Sequence, residues 1–176
     1  MKSIFKSVLI AVSAFGILSQ SAIAADRIVA ENGVGGAFTT IQEAINAAVD
    51  GDRIVIYRRA GNSAWIGDIT INKSLTFLSA EADSMFKMQG NVSVTGAVGR
   101  KINIIGMHNV TGDITAPAAS PAGTRCRVVI VNSRLQDGYI GFNNNYYELI
   151  ASGNRLDAGY IYFRYGKITG NIINTN

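Results

Sequence analysis

Ala37-Phe-Thr-Thr-Ile-Gln-Glu-Ala-Ile-Asn-Ala-Ala-Val-Asp-Gly-Asp-Arg-Ile-Val-Ile-Tyr57 joins a short amphipathic helix to a β-strand through one glycine turn. Phe38, Ile41, Ala44, Ile45 and Ala48 recur at helical spacing, which predicts a helix over residues 38–49 with one apolar face. Thr39 or Thr40 can cap its start, and Asp50-Gly51 stops it. The strand Arg53-Ile-Val-Ile-Tyr57 follows at once, giving the apolar face a sheet end to cover.

From there to Asn176 the chain reads as short strand-like runs separated by Gly, Asn and Asp. Examples are Asp68-Ile-Thr-Ile71, Asn91-Val-Ser-Val-Thr95, Arg127-Val-Val-Ile-Val131 and Tyr160-Ile-Tyr-Phe163. A repeat runs through the last part. Ser133-Arg-Leu135 with Gly138-Tyr-Ile-Gly-Phe142 returns as Asn154-Arg-Leu156 with Gly159-Tyr-Ile-Tyr-Phe163, displaced by 21 residues, and Gly153-Asn154 returns as Gly170-Asn171, 17 residues on. Irregular periods near 20 with several short strands per period predict an all-β fold: a right-handed parallel β-helix, or solenoid, of about five to seven coils with an N-terminal capping helix.

Residues one period apart then stack about 4.8 Å from each other, and side chains alternate in and out along each strand. Ile140 under Ile161 and Phe142 under Phe163 form inward ladders. Tyr139 under Tyr160 points outward, with Tyr162 above Gly141, and Arg134 under Arg155 falls in the same register.

Lys2 and Lys6, the apolar run from Val8 to Leu18 and the small residues Ala22-Ile23-Ala24 have the pattern of a secretory signal peptide. The run is shorter than the roughly 20 residues a membrane helix needs. The expected organisation is a leader over residues 1–24 and one β-helix domain over 25–176, secreted or periplasmic, with no membrane span in the mature chain. Removing Lys2 and Lys6 lowers the formal charge from +4 to +2, which gives no global case for a nucleic acid partner. Cys126 is the single cysteine, so no internal disulfide can form, and its place in Arg-Cys-Arg-Val-Val-Ile-Val makes it a strand residue.

The segments Val29-Ala-Glu-Asn-Gly33, Phe38-Thr-Thr-Ile-Gln-Glu-Ala44, Gly51-Asp-Arg-Ile-Val-Ile-Tyr57 and Ile71-Asn-Lys-Ser-Leu-Thr-Phe77 resemble the N-terminal region of bacterial and plant pectinesterases. Those enzymes belong to the pectin-lyase-like right-handed β-helix group. The resemblance covers about residues 28 to 80 and is generic afterwards. It implies that Gln136-Asp137 matches the family's catalytic Gln-Asp pair and that Asp157 takes the place of an Asp one coil later. The implied chemistry is acyl transfer: one carboxylate attacks a methyl ester, another handles protons, and Gln136 helps stabilise the oxyanion. The chain departs from the pattern at three places. Trp65-Ile66-Gly67 lacks the family's Glu, Asp157 precedes Ala-Gly-Tyr instead of Phe-Ile-Phe-Gly, and no Arg-Pro-Trp occurs before Asn176. The implied esterase site is therefore incomplete.

Each candidate also has a plain structural reading. Asp137-Gly138 and Asp157-Ala158-Gly159 are ordinary turn chemistry, and the 21-residue offset stacks Asp157 on Gln136 and not on Asp137. Tyr139, Tyr160 and Tyr162 can offer flat faces to sugar rings, and Arg134 and Arg155 can hold carboxylates in bidentate fashion, yet exposed tyrosines are common in strands. His108 is alone beside an expected turn, Asp50, Asp52 and Asp68 make no dense acidic cage, and Gly33-Val-Gly-Gly36 is an entry turn, so no metal or cofactor is expected. Asn143-Asn-Asn145 reads as a loop, although Asn ladders also stack inside such coils.

The leading expectation is an exported protein directed at carbohydrate, engaging an acidic polysaccharide such as pectin on a lateral face. The alternative is a structural or adhesive module. No cap follows Lys167-Ile-Thr-Gly-Asn-Ile-Ile-Asn-Thr-Asn176, so the last coil offers unpaired backbone groups for self-association through the C-terminal edge. The missing Arg-Pro-Trp segment and missing cap are also what a truncated piece of a longer enzyme would carry.

Overall fold

The computed structural model describes residues 24–95, 99–116 and 125–174. The expected leader lies outside the described residues except for Ala24. Every strand pairing is parallel, and the strands build three sheets visited in turn. Sheet A holds β1 (Asp26–Val29), β2 (Arg53–Ile56), β5 (Thr76–Ser79), β8 (Lys101–Ile105), β11 (Cys126–Val131), β14 (Tyr147–Ser152) and β17 (Gly166–Thr169). Sheet B holds β3 (Trp65–Ile66), β6 (Phe86–Gln89), β9 (Met107–Asn109), β12 (Arg134–Leu135), β15 (Arg155–Leu156) and β18 (Ile172–Ile173). Sheet C holds β4 (Ile69–Ile71), β7 (Val92–Val94), β10 (Ile114–Thr115), β13 (Ile140–Phe142) and β16 (Ile161–Phe163). The order A, B, C repeats five times and begins a sixth, which makes the chain a parallel β-solenoid of about six turns.

Alternation along each strand decides which side chains fill the tube. In β2, Ile54 and Ile56 are buried while Arg53 is exposed. Stacking then turns each inward position into a column. Sheet A contributes Ile54, Phe77, Ile104, Ile130, Ala151 and Ile168. Sheet C contributes Ile69, Val92, Ile114, Ile140 and Ile161, and Phe142 pairs with Phe163 as the 21-residue offset predicts. Each fully buried side chain of this size contributes about 1.5–3 kcal/mol before chain entropy is subtracted. Cys126 belongs to this interior, and burial pushes its thiol up to about 11.

Helix α1 (Ile41–Ala47) is shorter than the predicted 38–49 at both ends. Phe38 is extended and bridges to Val29, and Thr40 is the N-cap, closing a capping box with Glu43. At the other end Lys73 Nζ donates to the carbonyls of Ile45, Asn46 and Ala48 at 2.9, 2.7 and 2.6 Å. A cation there satisfies orphan carbonyls and opposes the negative end of the helix dipole. Ile41, Ala44 and Ile45 are buried, and the helix touches β1, β2 and β4. Beside it Asp52 is 1 % exposed. Burial alone would raise its carboxyl; the N–H groups of Val49 and Ala25 and the Arg27 guanidinium outweigh that and hold it below the usual range.

The two tight corners have different chemistry. Between sheets A and B the chain turns on a left-handed residue: Asp83, Gly106, Asn132, Gly153 or Gly170. The next residue on the last coils supplies a ladder, with Ser133 N–H on Asn154 Oδ1 and Asn154 N–H on Asn171 Oδ1, both 2.9 Å. The stacked asparagines are thus Asn154 and Asn171, while Asn143–Asn145 lie in a connection from sheet C to sheet A. Between sheets B and C the backbones stack so closely that a side chain cannot enter. Gly138 has φ +146°, and a Cβ on it would lie 2.2 Å from the Gly112 carbonyl oxygen. Gly61, with φ +64°, has nothing within 4 Å of such a Cβ.

Gly138→Ala is expected to destabilise the fold by about 2–5 kcal/mol, since backbone strain and overpacking combine. Gly61→Ala is expected to lose only about 1–2 kcal/mol from its left-handed backbone. Chemical denaturation of the two variants side by side checks this; equal losses would contradict the close stacking of the corner.

Candidate functional site

On the outer face of sheet C the glycine corner is followed by the column Asp68, Asn91, Asp113, Tyr139 and Tyr160. The first members are tied rung to rung by side chains. Asn91 N–H donates to Asp68 Oδ1 at 2.7 Å, Asp113 N–H to Asn91 Oδ1 at 3.0 Å, and Tyr139 N–H to Asp113 Oδ1 at 3.0 Å. At Tyr139 the column changes character. Its ring stacks on Tyr160 with centroids 5.2 Å apart and planes 7° from parallel.

Tyr162 completes the cluster. Gly141 pairs with Tyr162 across β13 and β16, and a Cβ on Gly141 would lie 2.4 Å from Tyr162 Cζ. A missing side chain therefore lets the Tyr162 ring lie down over the rung below. Its centroid is 5.5 Å from Tyr139 and 5.7 Å from Tyr160. Tyr160 is 54 % exposed and Tyr162 36 %. The Asp113 charge, and then Tyr162, push the Tyr139 hydroxyl above the ordinary tyrosine value. The cluster is thus a partly exposed aromatic surface with phenol hydroxyls and a carboxylate at its margin. The other tyrosines of the region do not all join it. Tyr147 is buried, its hydroxyl donating to Val94 O at 3.0 Å, and Tyr165 lies on sheet A's side.

The charged candidates lie across the glycine corner, on the outer face of sheet B. Arg134 stacks on Arg155 as expected, and both turn to the same carboxylate: Arg134 Nε is 2.6 Å from Asp157 Oδ2 and Arg155 Nε 2.5 Å from Asp157 Oδ1. Asp157 is therefore the counter-ion that lets two arginines share a column. Arg155 first, then Arg134, hold its carboxyl below the usual range. A carboxylate so engaged is a weak proton carrier and a hindered nucleophile.

Gln136 lies one rung from Asp157, since Gln136 follows the Leu135–Leu156 pair. Asp137 is exposed at the corner, its carbonyl accepting from Gly112 N–H at 2.9 Å. Gln136, Arg134, Arg155 and Asp157 are thus brought together, the three tyrosines are brought together on the neighbouring sheet, and Asp137 stands between the groups. Among the described residues no three His, Cys, Asp or Glu side chains gather as metal donors.

Two contributors escape a reading of identities alone. Asp113 sits under Tyr139, and His108 is the middle residue of β9, just after the Gly106 turn, with Lys87 and Arg134 as its rung neighbours. Desolvation, then the charges of Arg134 and Lys87, lower the His108 pKa, against opposing contributions from Gln136 and Asp157. The signal for Asp113 is a recurring Gly-Asx-β-Thr/Ser motif at Gly67, Gly90 and Gly112, which becomes Gly-Tyr-Ile at Gly138 and Gly159.

Because the folded Asp157 pKa is depressed, its stabilisation is present above the unfolded value of about 3.9 and lost as pH falls through the folded value. Asp157→Asn is expected to be less stable at neutral pH and to lose less stability between pH 4 and more acidic solution, as followed by denaturation midpoints against pH. An unchanged acid slope would remove the ion-pair role. Compared with known proteins, the chain matches no family model, no curated protein and no solved structure.

Proposed function

We propose that this is an exported carbohydrate-binding protein whose tyrosine cluster receives an acidic polysaccharide such as pectin. In this proposal the solenoid is a right-handed, pectin-lyase-like β-helix with α1 as the cap of its first coil. The observation that carries the reading is the stacked pair Tyr139–Tyr160 with Tyr162 beside it, an exposed aromatic face held by the register of two coils. Flat rings bury the apolar faces of sugars, while hydroxyls and a carboxylate at the rim accept and donate to sugar hydroxyls. Handedness follows the strong preference of parallel crossover connections.

The arginines enter this reading indirectly. Arg134 and Arg155 are already paired with Asp157, so an incoming carboxylate meets a column of Lys87, His108, Arg134 and Arg155 whose charge is only partly balanced. Binding is favoured over ester hydrolysis because Asp157 serves as that counter-ion and Asp137 lies apart from it.

Retention of the chain on pectins of graded methylation, with methanol measured in parallel, tests the proposal. Tyr160→Ala is expected to weaken retention about three- to tenfold. Absence of retention by the parent chain would end the carbohydrate reading, and methanol release would restore the esterase one.

A second reading rests on the last coil. Ile168, Ile172 and Ile173 are 44, 56 and 40 % exposed, and two of them occupy columns that are buried in earlier coils. Among the described residues no strand pairs with the outer edges of β16, β17 and β18, and together with these isoleucines this favours self-association of the chain through that coil. Sedimentation at micromolar concentration is expected to show dimers that Ile168→Lys dissolves; a parent chain sedimenting as one copy removes this reading.

A further inference from the structure

A separate concentration of charge lies on the outer face of sheet A, in an open cleft of about 620 Å³ at the starts of β8, β11 and β14. Arg100, Lys101, Arg125 and Arg127 line it, and Glu148 is the single carboxylate among its described residues. Lys101, Arg127 and Glu148 occupy one position on consecutive rungs, which places them about 4.8 Å apart. Glu148 answers Arg127, with Oε2 at 2.7 Å from Nε, which leaves three of the four cations without a carboxylate in the cleft. Residues 96–98 and 117–124, which precede these strands in sequence, contain no Asp or Glu.

Arg125 is the best positioned of the four. Its Cζ lies 3.7 Å from the centroid of the Tyr165 ring, and its Nε donates to the Asn145 carbonyl at 3.1 Å. Ring and carbonyl fix the guanidinium plane without supplying a negative formal charge. A planar fork held in this way suits an oxygen pair on an anion and loses little side-chain freedom when it binds one. Like charges stacked at rung spacing repel, so the cleft is relieved when an anion enters.

We propose that this cleft is an oxyanion-binding site, taking a carboxylate, sulfate or phosphate group between Lys101 and the Tyr165-backed Arg125. It lies on a different sheet from the tyrosine cluster and does not depend on the carbohydrate reading, because inorganic anions have no ring to stack on tyrosine.

Calorimetric titration of the purified chain at about 20 mM salt, where screening is weak, uses three probes: inorganic phosphate, inorganic sulfate and an oligogalacturonate. At least one is expected to bind the cleft, and the strongest probe whose binding depends on Lys101 and Arg125 identifies whether the natural source is a phosphate, a sulfate or an acidic sugar. The double variant Lys101→Gln/Arg125→Gln is expected to bind that probe at least about tenfold more weakly, from the loss of two charge-assisted contacts. Arg58→Gln, which removes a positive charge elsewhere on the surface, is expected to bind it unchanged. Arg125→Lys keeps the charge and loses the fork; it is expected to weaken binding about threefold or more and serves if the double variant does not fold. No binding of any probe by the parent chain, parental affinity in the double variant or in Arg125→Lys, or an equal loss in Arg58→Gln would each overturn the proposal.

Discussion

Parallel pairing in register is the constraint from which the rest of this molecule follows. Each strand hydrogen-bonds to the same stretch of the coil before it, so every position on one rung rests on the equivalent position of the next. Like-on-like stacking is favourable inside, where Ile140 meets Ile161, but outside it forces equal charges and equal polar groups to within about 5 Å. Each outer column therefore needs its own resolution. Arg134 and Arg155 share Asp157, Asp68, Asn91 and Asp113 turn their oxygens onto the next rung's N–H, and Tyr139 and Tyr160 lie face to face. The Lys101 and Arg127 pair has only Glu148, which is why that column stands out.

The same constraint explains where polar groups enter the interior. Asn154 is 1 % exposed, yet its side chain satisfies the N–H of Ser133 and the Ile130 carbonyl at 2.9 Å each. Asn109 faces inward above Met88 and donates to the carbonyls of Gly90 and Gly112, both at 3.0 Å. Both sit at corners, where the strand ladder is interrupted and backbone groups must find side-chain partners. In a solenoid most contacts join adjacent coils, so these corner bonds act locally and a defect at one corner weakens one interface first.

The coil, its inward columns and the tyrosine register were legible in the sequence because they depend on spacing alone. Two coils keep Arg-Leu and Gly-Tyr-Ile at a constant offset, and stacking follows from that offset. Earlier coils hide the same plan: Gly67, Gly90, Gly112, Gly138 and Gly159 are separated by 23, 22, 26 and 21 residues, so no fixed period aligns them. What stayed illegible depends on side-chain direction. The helix starts later than its apolar period implies because Phe38 has the right period but bridges to Val29. Asp157 resembles a catalytic acid in sequence because its sequence neighbours do not reveal that Arg134, 23 residues earlier, reaches it from the adjacent rung. Arg125 and Tyr165 meet two rungs apart, a contact that no local motif announces.

The change from Asx to Tyr at the glycine corner bears on function. An Asp or Asn there accepts the N–H of the following rung, as Asp113 does for Tyr139, and so contributes to the stability of the coil. A tyrosine cannot reach back to that N–H with its distant hydroxyl. Placing Tyr139 and Tyr160 in the column therefore ends the ladder of corner bonds and exposes large rings, more than half of Tyr160 included. Ring stacking recovers part of the loss, but an Asx at both positions would extend the ladder of the earlier coils without exposing apolar surface. Departure from a local rule that the rest of the column obeys is what the proposed binding role asks of these positions. Gly141 points the same way, since a side chain there would lift Tyr162 off the rung and break up the aromatic face.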